Sequence, residues 1–209
     1  MTERNINIVK IAAYTAVSDL DGLKTAINSA IDTGLSVNEI GEICVQSYAY
    51  VGFPRSLLSE GVLTAVVKER EENGEKLNYG ETAKSVPADI DKYEYGREKI
   101  NAIFGQSSKQ PRPDGTDYGS ATDIFLKEHL FTDIFYRGVL SDRERELATV
   151  SMLAALGNVN PMLSAHTTGA FRTGNTASEL HEMTAIVGGC VGKAQEENAN
   201  AIVRQITGE

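Results

Sequence analysis

Two side chains of this 209-residue chain have the chemical type and setting that proton transfer requires. His166, one of three histidines, falls within a predicted helix. At helical spacing its neighbours are small or apolar: Met162, Leu163, Gly169 and Ala170. An imidazole in that setting is either a core histidine with satisfied hydrogen bonds or part of a ligand pocket, where small neighbours leave room. The sequence leaves both interpretations open.

Glu146 is the carboxylate best placed to work with it. It ends the charged turn Asp142-Arg143-Glu144-Arg145-Glu146, which precedes a wholly apolar run. Acidic residues stabilise a helix start, which accounts for Asp142 and Glu144. Glu146 lies one turn deeper, so it is the carboxylate expected to lose its water and to serve in proton transfer. Arg143 and Arg145 could hold Glu146 or a substrate carboxylate, although pairing within the helix is the more common arrangement.

The remaining histidines are weaker candidates. His129 lies in Lys127-Glu128-His129-Leu130, on a helix whose other side is apolar, so its role is ambiguous. Together with Glu128 it is a candidate auxiliary group. His181 lies between Glu179 and Glu182, a pattern typical of a solvated surface.

Other kinds of site find little support. Cys44 and Cys190 are isolated, with no CxxC motif and no cysteine–histidine ligand spacing, which disfavours structural zinc and a local dithiol. The run Gly188 to Gly192 follows no predicted strand and favours close helix packing over a nucleotide site. The net charge of −9 argues against nucleic acid and anionic membranes as main partners. Two cysteines and no apolar leader favour a reducing cytoplasm.

Helix start and stop signals place these residues in an all-α fold. Ser141 to Glu144 reads as a capping box that opens a buried helix ending at Gly157. Pro161 starts a second helix that stops at Gly174. Thr176 to Glu179 is another capping box, and its helix is expected to break or pack tightly at the glycines from Gly188 on. A last amphipathic helix follows, and no strand pattern occurs.

A different stretch lies in the middle of the chain. Residues 54–72 and, more weakly, 90–104 have helical patterns. Residues 106–120 are rich in Ser, Pro and Gly and are predicted to form a loop, either a lid, an intersubunit arm or an idle surface loop. Residues 121–137 are predicted to form one amphipathic helix.

The chain also repeats itself. Residues 23–52 match residues 163–192 at eight of thirty positions, where chance gives roughly two. Several identities are helix punctuation, such as Gly34/Gly174 and Glu39/Glu179. We interpret the match as an internal duplication, although short helical hairpins share such punctuation. At this offset Glu146 and His166 correspond to Ile6 and Ala26, so the first copy would lack both groups.

The motifs resemble those of the carboxymuconolactone decarboxylase family, within the alkylhydroperoxidase D-like superfamily. The resemblance rests on Leu140 to Val150, Ala154 to Gly157, His166, Gly169-Ala170, Gly174 and Glu179-Leu180. The first copy adds Ala30, Thr33-Gly34, Glu39 to Ile43 and Tyr50 to Pro54, so the two copies cover about two thirds of the chain. The resemblance implies a duplicated all-α bundle in a homo-oligomer, namely a trimer of two-copy chains that imitates the family's hexamer.

The resemblance also implies roles for particular residues. Glu146 and His166 match the family's glutamate and histidine and would be catalytic, with Arg145, Arg143 or Arg137 binding the substrate carboxylate. The cysteines of the peroxidase branch would fall near residues 158–162, where this chain has none, so a dithiol peroxidase is disfavoured. The decarboxylase branch requires no cofactor and no metal, because an unsaturated lactone can delocalise the carbanion left by CO2 loss.

These observations give one leading interpretation and two alternatives. Residues 1–60 would be a degenerate first copy, 61–120 an insertion, and 121–209 the copy with the site. The leading function is a cofactor-free lyase acting on a small conjugated lactone or cyclic carboxylate. The alternatives are a non-catalytic binding or assembly protein, and a redox protein in which Cys44 and Cys190 meet in space. A Glu146–His166 pair beside a pocket would favour the enzyme, and a pair buried without one would favour the scaffold.

Overall fold

The computed structural model of the protein describes residues 1–105 and 117–209, and every regular element within them is helical. The all-α class is therefore confirmed. The α-helices in chain order are α1 (Glu3–Val17), α2 (Leu20–Asp32), α3 (Val37–Val51), α4 (Phe53–Glu72), α5 (Lys92–Phe104), α6 (Asp117–Ile124), α7 (Asp142–Leu156), α8 (Asn160–Arg172), α9 (Ala177–Val191) and α10 (Lys193–Thr207). A π-helix (Phe125–Ile134) and a 3-10 turn (Phe135–Arg137) join α6 to the loop before α7.

The helix starts follow the predicted caps. Ser141 opens α7 and Thr176 opens α9. In each case the hydroxyl oxygen of the cap accepts from the backbone N–H of the glutamate three residues later, and the carboxylate of that glutamate accepts from the backbone N–H of the cap. The same reciprocal arrangement at Ser36 opens α3. These local bonds satisfy backbone donors that the first helical turn leaves free, so short-range sequence is sufficient to set the boundaries.

At the end of α9 the structure decides between the two predicted outcomes: the helix continues through Gly188 to Val191, and Gly188 packs closely, because a Cβ there would overlap Glu196 of α10. The structure differs from the sequence prediction in two places. The single helix predicted for 121–137 is instead the end of α6, the π-helix and the 3-10 turn. Residues 106–116 of the predicted loop lie outside the described residues, and 117–120 belong to α6.

Four helices recur along the chain at a nearly constant offset. Helices α2 and α8 begin and end 140 positions apart, as do α3 and α9. Helices α4 and α10 also begin 140 positions apart, whereas α1 and α7 begin and end 139 apart. This order of matched helices is what the predicted duplication requires. It also pairs Glu146 with Asn7 rather than with Ile6.

The two sets of helices share one core. Helix α1 packs along α7 at the centre, and both bury residues on nearly every side. A second, smaller cluster lies beside it, where α5 packs against the π-helix. Its buried members are Ile103, Leu130, Phe131, Ile134 and Phe135. Helix α5 also packs against α8, so this cluster covers the helix that carries His166.

The domain boundaries at residues 60 and 120 stay a prediction. Helix α4 is the counterpart of α10, and on that basis we propose that the first copy extends to Glu72. Among the described residues, none of the helices combines the length and apolarity that a bilayer span requires.

Candidate functional site

Helix α7 carries two charged residues into the interior. Arg145 and Glu146 are both fully buried, although they come only one turn after the exposed cap at Ser141. A buried charge costs several kcal/mol unless it is paired, so the partners of each side chain decide its role. The two adjacent residues point to different partners.

Arg145 is held by the first copy. Its Nη2 donates to Glu42 Oε2 at 2.7 Å and its Nη1 to Gln46 Oε1 at 3.0 Å. Arg137, after the π-helix, donates from Nε to the same Glu42 carboxylate at 2.8 Å. Two guanidinium groups therefore share one buried carboxylate of α3. This network ties α3 to α7 and leaves Arg145 and Arg137 engaged with protein.

Arg143 is engaged in the same way nearer the surface. Its Nη2 pairs with Glu179 Oε1 at 2.5 Å and its Nε donates to the Gly174 carbonyl at 3.1 Å. The pKa of Glu179 is lowered to about 2, first by the hydrogen bond from Arg143 and then by the Thr176 backbone N–H. The structure thus does not bring Arg137, Arg143 or Arg145 to the cleft of His166 described below.

Glu146 and His166 do come together. His166 Nδ1 lies 2.9 Å from Glu146 Oε2. The other carboxylate oxygen, Oε1, is buried with no hydrogen-bond partner among the described residues. A buried carboxylate with one oxygen left unpaired opposes folding, and such arrangements concentrate at functional sites.

Two aromatic rings fix the orientation of the imidazole. Tyr50, at the end of α3, meets the His166 ring edge-on with 5.3 Å between centroids. Phe104, at the end of α5, does the same from another direction at 5.3 Å. Burial, and next the nearby charge of Glu146, raise the pKa of Tyr50 above its ordinary value. The tyrosine therefore stays protonated and neutral beside the pair.

Gly169 makes the approach of these groups sterically feasible. A Cβ built there would lie 2.8 Å from Glu146 Oε2 and 2.8 Å from Phe104 Cε1. Real Cβ atoms do not approach other heavy atoms that closely, so any side chain would displace the carboxylate or the ring. Placement of this glycine one turn after His166 agrees with the sequence expectation that small neighbours leave room.

His166 lies on the wall of a cleft of about 290 Å³ between α5, the π-helix and α8. Its described lining residues are Ile100, Phe104, Leu126, Phe131, Met162, Ala165, His166 and Thr168. The His166 side chain is 12% exposed. Since Nδ1 is occupied by Glu146, Nε2 is the ring nitrogen left to meet a ligand.

This arrangement can move a proton. A carboxylate that accepts the Nδ1–H bond leaves Nε2 with a free lone pair, and it stabilises the imidazolium that forms when Nε2 takes a proton. The apolar surroundings strengthen that electrostatic interaction. The pair has the composition of a general acid–base catalyst that faces a mostly apolar cleft.

The other candidates lie elsewhere. His129 is about half exposed and its Nδ1 lies 3.0 Å from Asp133 Oδ2. Glu128 is half-buried on the π-helix and forms no ion pair with a described residue. Neither contributes to the described wall of the cleft. In the described part of the chain no three potential ligands from His, Cys, Asp and Glu lie together as a metal site would need.

The two thiols have separate surroundings. Cys44 and Cys190 are both free. Cys44 is fully buried, which raises the pKa of its thiol to about 12. Cys190 is half-buried beside Tyr14, and burial raises its pKa as well. A thiol with a raised pKa holds little of the reactive thiolate at neutral pH.

Sequence reasoning missed the residues that come from outside the second copy. Tyr50 was part of the motif in the first copy, but nothing local indicated that it would reach His166. Phe104 and Ile100 lie in the weakest predicted helix. Their alignment with α8 depends on how the middle segment packs, which periodicity does not encode.

Comparison with known proteins agrees with this architecture. The model of the carboxymuconolactone decarboxylase family matches residues 124–205, which include the π-helix, α7 to α9 and most of α10. The predicted family resemblance is thereby confirmed. A solved structure from Burkholderia xenovorans LB400, described as a candidate gamma-carboxymuconolactone decarboxylase subunit, has a TM-score of 0.53 at 21% identity, over 99% of this chain and 79% of that chain. At that identity the likeness establishes the fold. No curated protein matches the chain.

Proposed function

We propose that this chain is a cofactor-free lyase or isomerase that transfers protons on a small conjugated lactone or cyclic carboxylate, because residues 124–205 match the model of the carboxymuconolactone decarboxylase family. One observation carries the proposal: the buried Glu146–His166 pair lies at an apolar cleft, with Nδ1 and Oε2 2.9 Å apart. A pair enclosed away from any cleft would instead have favoured a non-catalytic assembly protein.

Each residue has a defined part in this proposal. His166 Nε2 is the catalytic group that takes or gives the proton. Glu146 is a positioning residue that sets the Nδ1–H tautomer and stabilises the imidazolium. Tyr50 and Phe104 hold the ring plane by edge-on contacts at 5.3 Å. General acid–base catalysis of this kind accelerates a reaction by about 10²–10⁴-fold.

Two related reactions fit the pair. In an isomerisation, the C–H bond α to the lactone carbonyl breaks, its proton moves to Nε2, and the resulting dienolate takes the proton back at the γ carbon. In a decarboxylation, the C–C bond to the carboxylate breaks, CO2 leaves, and the electron pair is delocalised into the unsaturated lactone. In this reaction His166 starts as the imidazolium and protonates the delocalised carbanion, and the neutral imidazole that remains then regains a proton from water.

The test follows both reactions in wild type and in His166→Ala. CO2 release from 4-carboxymuconolactone reports decarboxylation, and deuterium uptake from D2O by small unsaturated lactones, followed by NMR, reports proton transfer. We expect turnover on at least one of these substrates and a fall of about 10²–10⁴-fold in His166→Ala. His181→Gln is the matched control, because His181 pairs with Asn200 and Glu209 away from the cleft.

Each result has a clear meaning. Turnover that survives His166→Ala would contradict the role given to this histidine. Absence of turnover on every substrate, in a protein that is folded by circular dichroism, would overturn the enzyme proposal in favour of the binding or assembly protein.

The peroxide alternative has a separate test. Because burial raises the pKa of Cys44 to about 12, we expect this thiol to resist Ellman's reagent in the native protein and to react once urea is added. Thiol counts taken before and after peroxide treatment should be equal. Loss of two thiols on treatment, with a Cys44–Cys190 disulfide found by mass spectrometry, would restore the redox interpretation.

The homo-oligomer also stays a prediction. Helix α4 exposes Phe53, Leu57 and Leu58, of which Phe53 is 62% exposed. Large exposed apolar side chains that lie together often mark an interface. Light scattering coupled to size-exclusion chromatography would give the number of chains, and a monomer would contradict the expected trimer.

A further inference from the structure

Helix α8 ends in an arginine that has no carboxylate partner in the described part of the chain. Arg172 is exposed, and it forms neither an ion pair nor a hydrogen bond through its side chain with a described residue. It differs in this from Arg143 and Arg145 of α7, which bind carboxylates of the protein. The five N–H donors of the Arg172 guanidinium are therefore not used by the described residues.

Arg172 lies next to the cleft that contains the proton-transfer pair. Ala165 and Thr168 line the cleft, and Arg172 follows them on the same face of α8, at spacings of three and four residues. Its guanidinium packs against Gly105, the residue after Phe104 of the cleft wall, because a Cβ at Gly105 would overlap Cζ of the arginine. The cation thus lies between α5 and α8, two of the elements that form the cleft.

The first copy has the opposite charge at the matching position. At the offset of 140, Arg172 corresponds to Asp32, which ends α2 and pairs with Arg70 of α4 at 2.5 Å. That ion pair joins two helices of the first copy. In the copy with the candidate site the charge is reversed and no described carboxylate pairs with it, so the repeat does not account for Arg172.

A structural role for Arg172 makes a different prediction. A cation at a helix C-terminus stabilises the helix, and both α5 and α8 end beside this guanidinium. That role would affect stability and leave the binding of ligands unchanged. A role in binding would affect anionic ligands and leave neutral ones unchanged, so measurement distinguishes the two.

From this placement we infer that Arg172 binds a carboxylate of the substrate, at a position remote from the atom that exchanges a proton with His166. The inference rests on the proposed proton-transfer function and narrows its substrate class to unsaturated ring acids. The ring covers the apolar wall, and the guanidinium holds the carboxylate by charge-assisted hydrogen bonds, which are about twice as strong as those between neutral groups. Arg172 is thus a specificity-determining residue, and His166 stays the catalytic one.

Binding is measured first, with two probes that differ in charge and little else. Coumarin-3-carboxylate is negative at neutral pH, and coumarin-3-carboxamide carries a neutral group of similar size on the same ring system. Equilibrium dialysis of the full chain against each probe gives the dissociation constants. We expect Arg172→Gln to weaken binding of the carboxylate about tenfold and binding of the amide less than about twofold. Equal losses for both probes, an unchanged affinity for the carboxylate, or no binding of it by wild type would overturn the inference.

A second arginine at a helix end provides the matched control. Arg204 is exposed in the last turn of α10, a helix that contributes none of the described lining residues. Arg204→Gln should therefore leave the affinity for both probes unchanged. A loss of carboxylate binding equal to that of Arg172→Gln would mean that any surface cation attracts the probe, and would contradict the inference.

Two further measurements show where the probe binds and whether Arg172 is only structural. In NMR spectra, coumarin-3-carboxylate should shift the ring protons of His166 and leave those of His181 in place. A shift at His181 alone would locate the probe elsewhere and contradict the inference. Thermal unfolding of Arg172→Gln measures stability, and a variant that is less stable but keeps its affinity for the carboxylate would show a purely structural role.

Catalysis then separates failure of the carboxylate site from failure of the proposed function. With 4-carboxymuconolactone, Arg172→Gln should raise KM about tenfold and change kcat less than about threefold, whereas His166→Ala should lower kcat. Turnover that requires His166, with KM unchanged in Arg172→Gln, would keep the proposed function and overturn the carboxylate site. If no substrate turns over but binding of coumarin-3-carboxylate still requires Arg172, the carboxylate site stands and the proposed function fails.

Discussion

The two copies of the helical repeat have the same arrangement of helices, but they differ in the polar side chains that they bury. In the second copy, α7 and α8 bring Glu146 to His166. At the matching positions of the first copy, α1 presents Asn7 and α2 presents Ala26. Asn7 is buried and donates from Nδ2 to Thr33 Oγ1 at 2.8 Å, so its neutral amide has a partner in its own copy. The first copy thus has a neutral amide with a hydrogen-bond partner at the position where the second copy has Glu146, whose Oε1 has no partner among the described residues.

The framework around these positions is repeated closely. Arg4 pairs with Glu39 at 2.7 Å in the first copy, and Arg143 pairs with Glu179 at 2.5 Å in the second. Both arginines come from the helix start that crosses the core, and both glutamates belong to capping boxes. These ion pairs join equivalent helices in the two copies, and they do not indicate a catalytic role. The contrast teaches that the repeated residues maintain the fold, whereas the residues that differ form the candidate site.

The middle segment adds to this difference. Helix α5 and the π-helix pack over α8 and build the cleft there. Gly96 allows α5 to approach closely, because a Cβ at that position would overlap the Lys127 carbonyl of the π-helix. Stretches of π-helix are rare in proteins, and those that do occur are often found at functional sites.

The change expected to have the largest effect makes the second copy resemble the first. Glu146→Gln puts a neutral amide where the matching position has Asn7. We expect activity to fall by about 10²-fold or more, since the imidazolium loses its counter-charge. Stability should not fall, and we expect it to rise by about 1 kcal/mol, because the variant buries no charge. Turnover rates and urea unfolding measure the two effects, and a variant that is both active and less stable would contradict the proposed division between fold and site.

The next change compares a buried ion pair with a partly exposed one. Arg145→Met removes a fully buried cation and leaves Glu42 with Arg137 alone, which should destabilise the fold by about 3–5 kcal/mol. Arg4→Met removes a cation that pairs with both Glu39 and Glu144 and whose side chain is 35% exposed, and it should cost about 1 kcal/mol. Urea unfolding of both variants gives the comparison. Equal losses would mean that the network between α3 and α7 is no more important than the surface pairs.

A smaller effect is expected at the glycine beside the site. Gly169→Ala would force Glu146 or Phe104 to move, since a Cβ would lie 2.8 Å from each. We expect about a tenfold loss of activity and a cost of about 1–3 kcal/mol. The matching position is Ser29, which already carries a side chain, so Ser29→Ala should change stability by under about 0.5 kcal/mol. Full activity in Gly169→Ala would show that the close approach is not required.

The smallest effect concerns acid stability. The folded-state pKa of Glu179 is lowered to about 2 from its ordinary value of 4.5, mainly by Arg143. Its contribution is therefore complete above pH 4.5 and is lost as the pH falls toward 2. In Glu179→Gln the free energy of unfolding should fall less steeply over that pH range. The difference should be under about 1 kcal/mol, because the Arg143–Glu179 pair lies near the surface. Glu39→Gln should act in the same direction, and thermal unfolding between pH 2 and 6 measures both variants.

Sequence reasoning succeeded where the signal is local and failed where burial hides the pattern. The capping boxes at Ser141 and Thr176 set the starts of α7 and α9 as predicted. Helix α1 was not recognised, because it is buried nearly all round and carries Asn5, Asn7 and Thr15 among its buried residues. A helix of this kind has no polar stripe from which a 3.6-residue period could be read.

The arginines show the same limit at the site. Residue type alone made Arg143 and Arg145 candidates for holding a substrate carboxylate, but the same type suits a buried pair with Glu42 or a surface pair with Glu179. Position within α7 decides between these partners. Arg145 and Glu146 are adjacent, so they point to different sides of the helix and meet different neighbours.

The amino-acid sequence by itself determined the helical class, the positions of the main helix ends, the recurrence of helix punctuation along the chain, and Glu146 and His166 as the two candidate residues for proton transfer. All of these depend on contacts within a few turns of helix or on recurrence along the chain. Only the tertiary structure decided that Tyr50 and Phe104 enclose His166, that the arginines bind the protein's own carboxylates, and that the cleft is apolar. These features arise where α3, α5, α7 and α8 meet, and no short-range pattern specifies which side chains from distant segments will share one space.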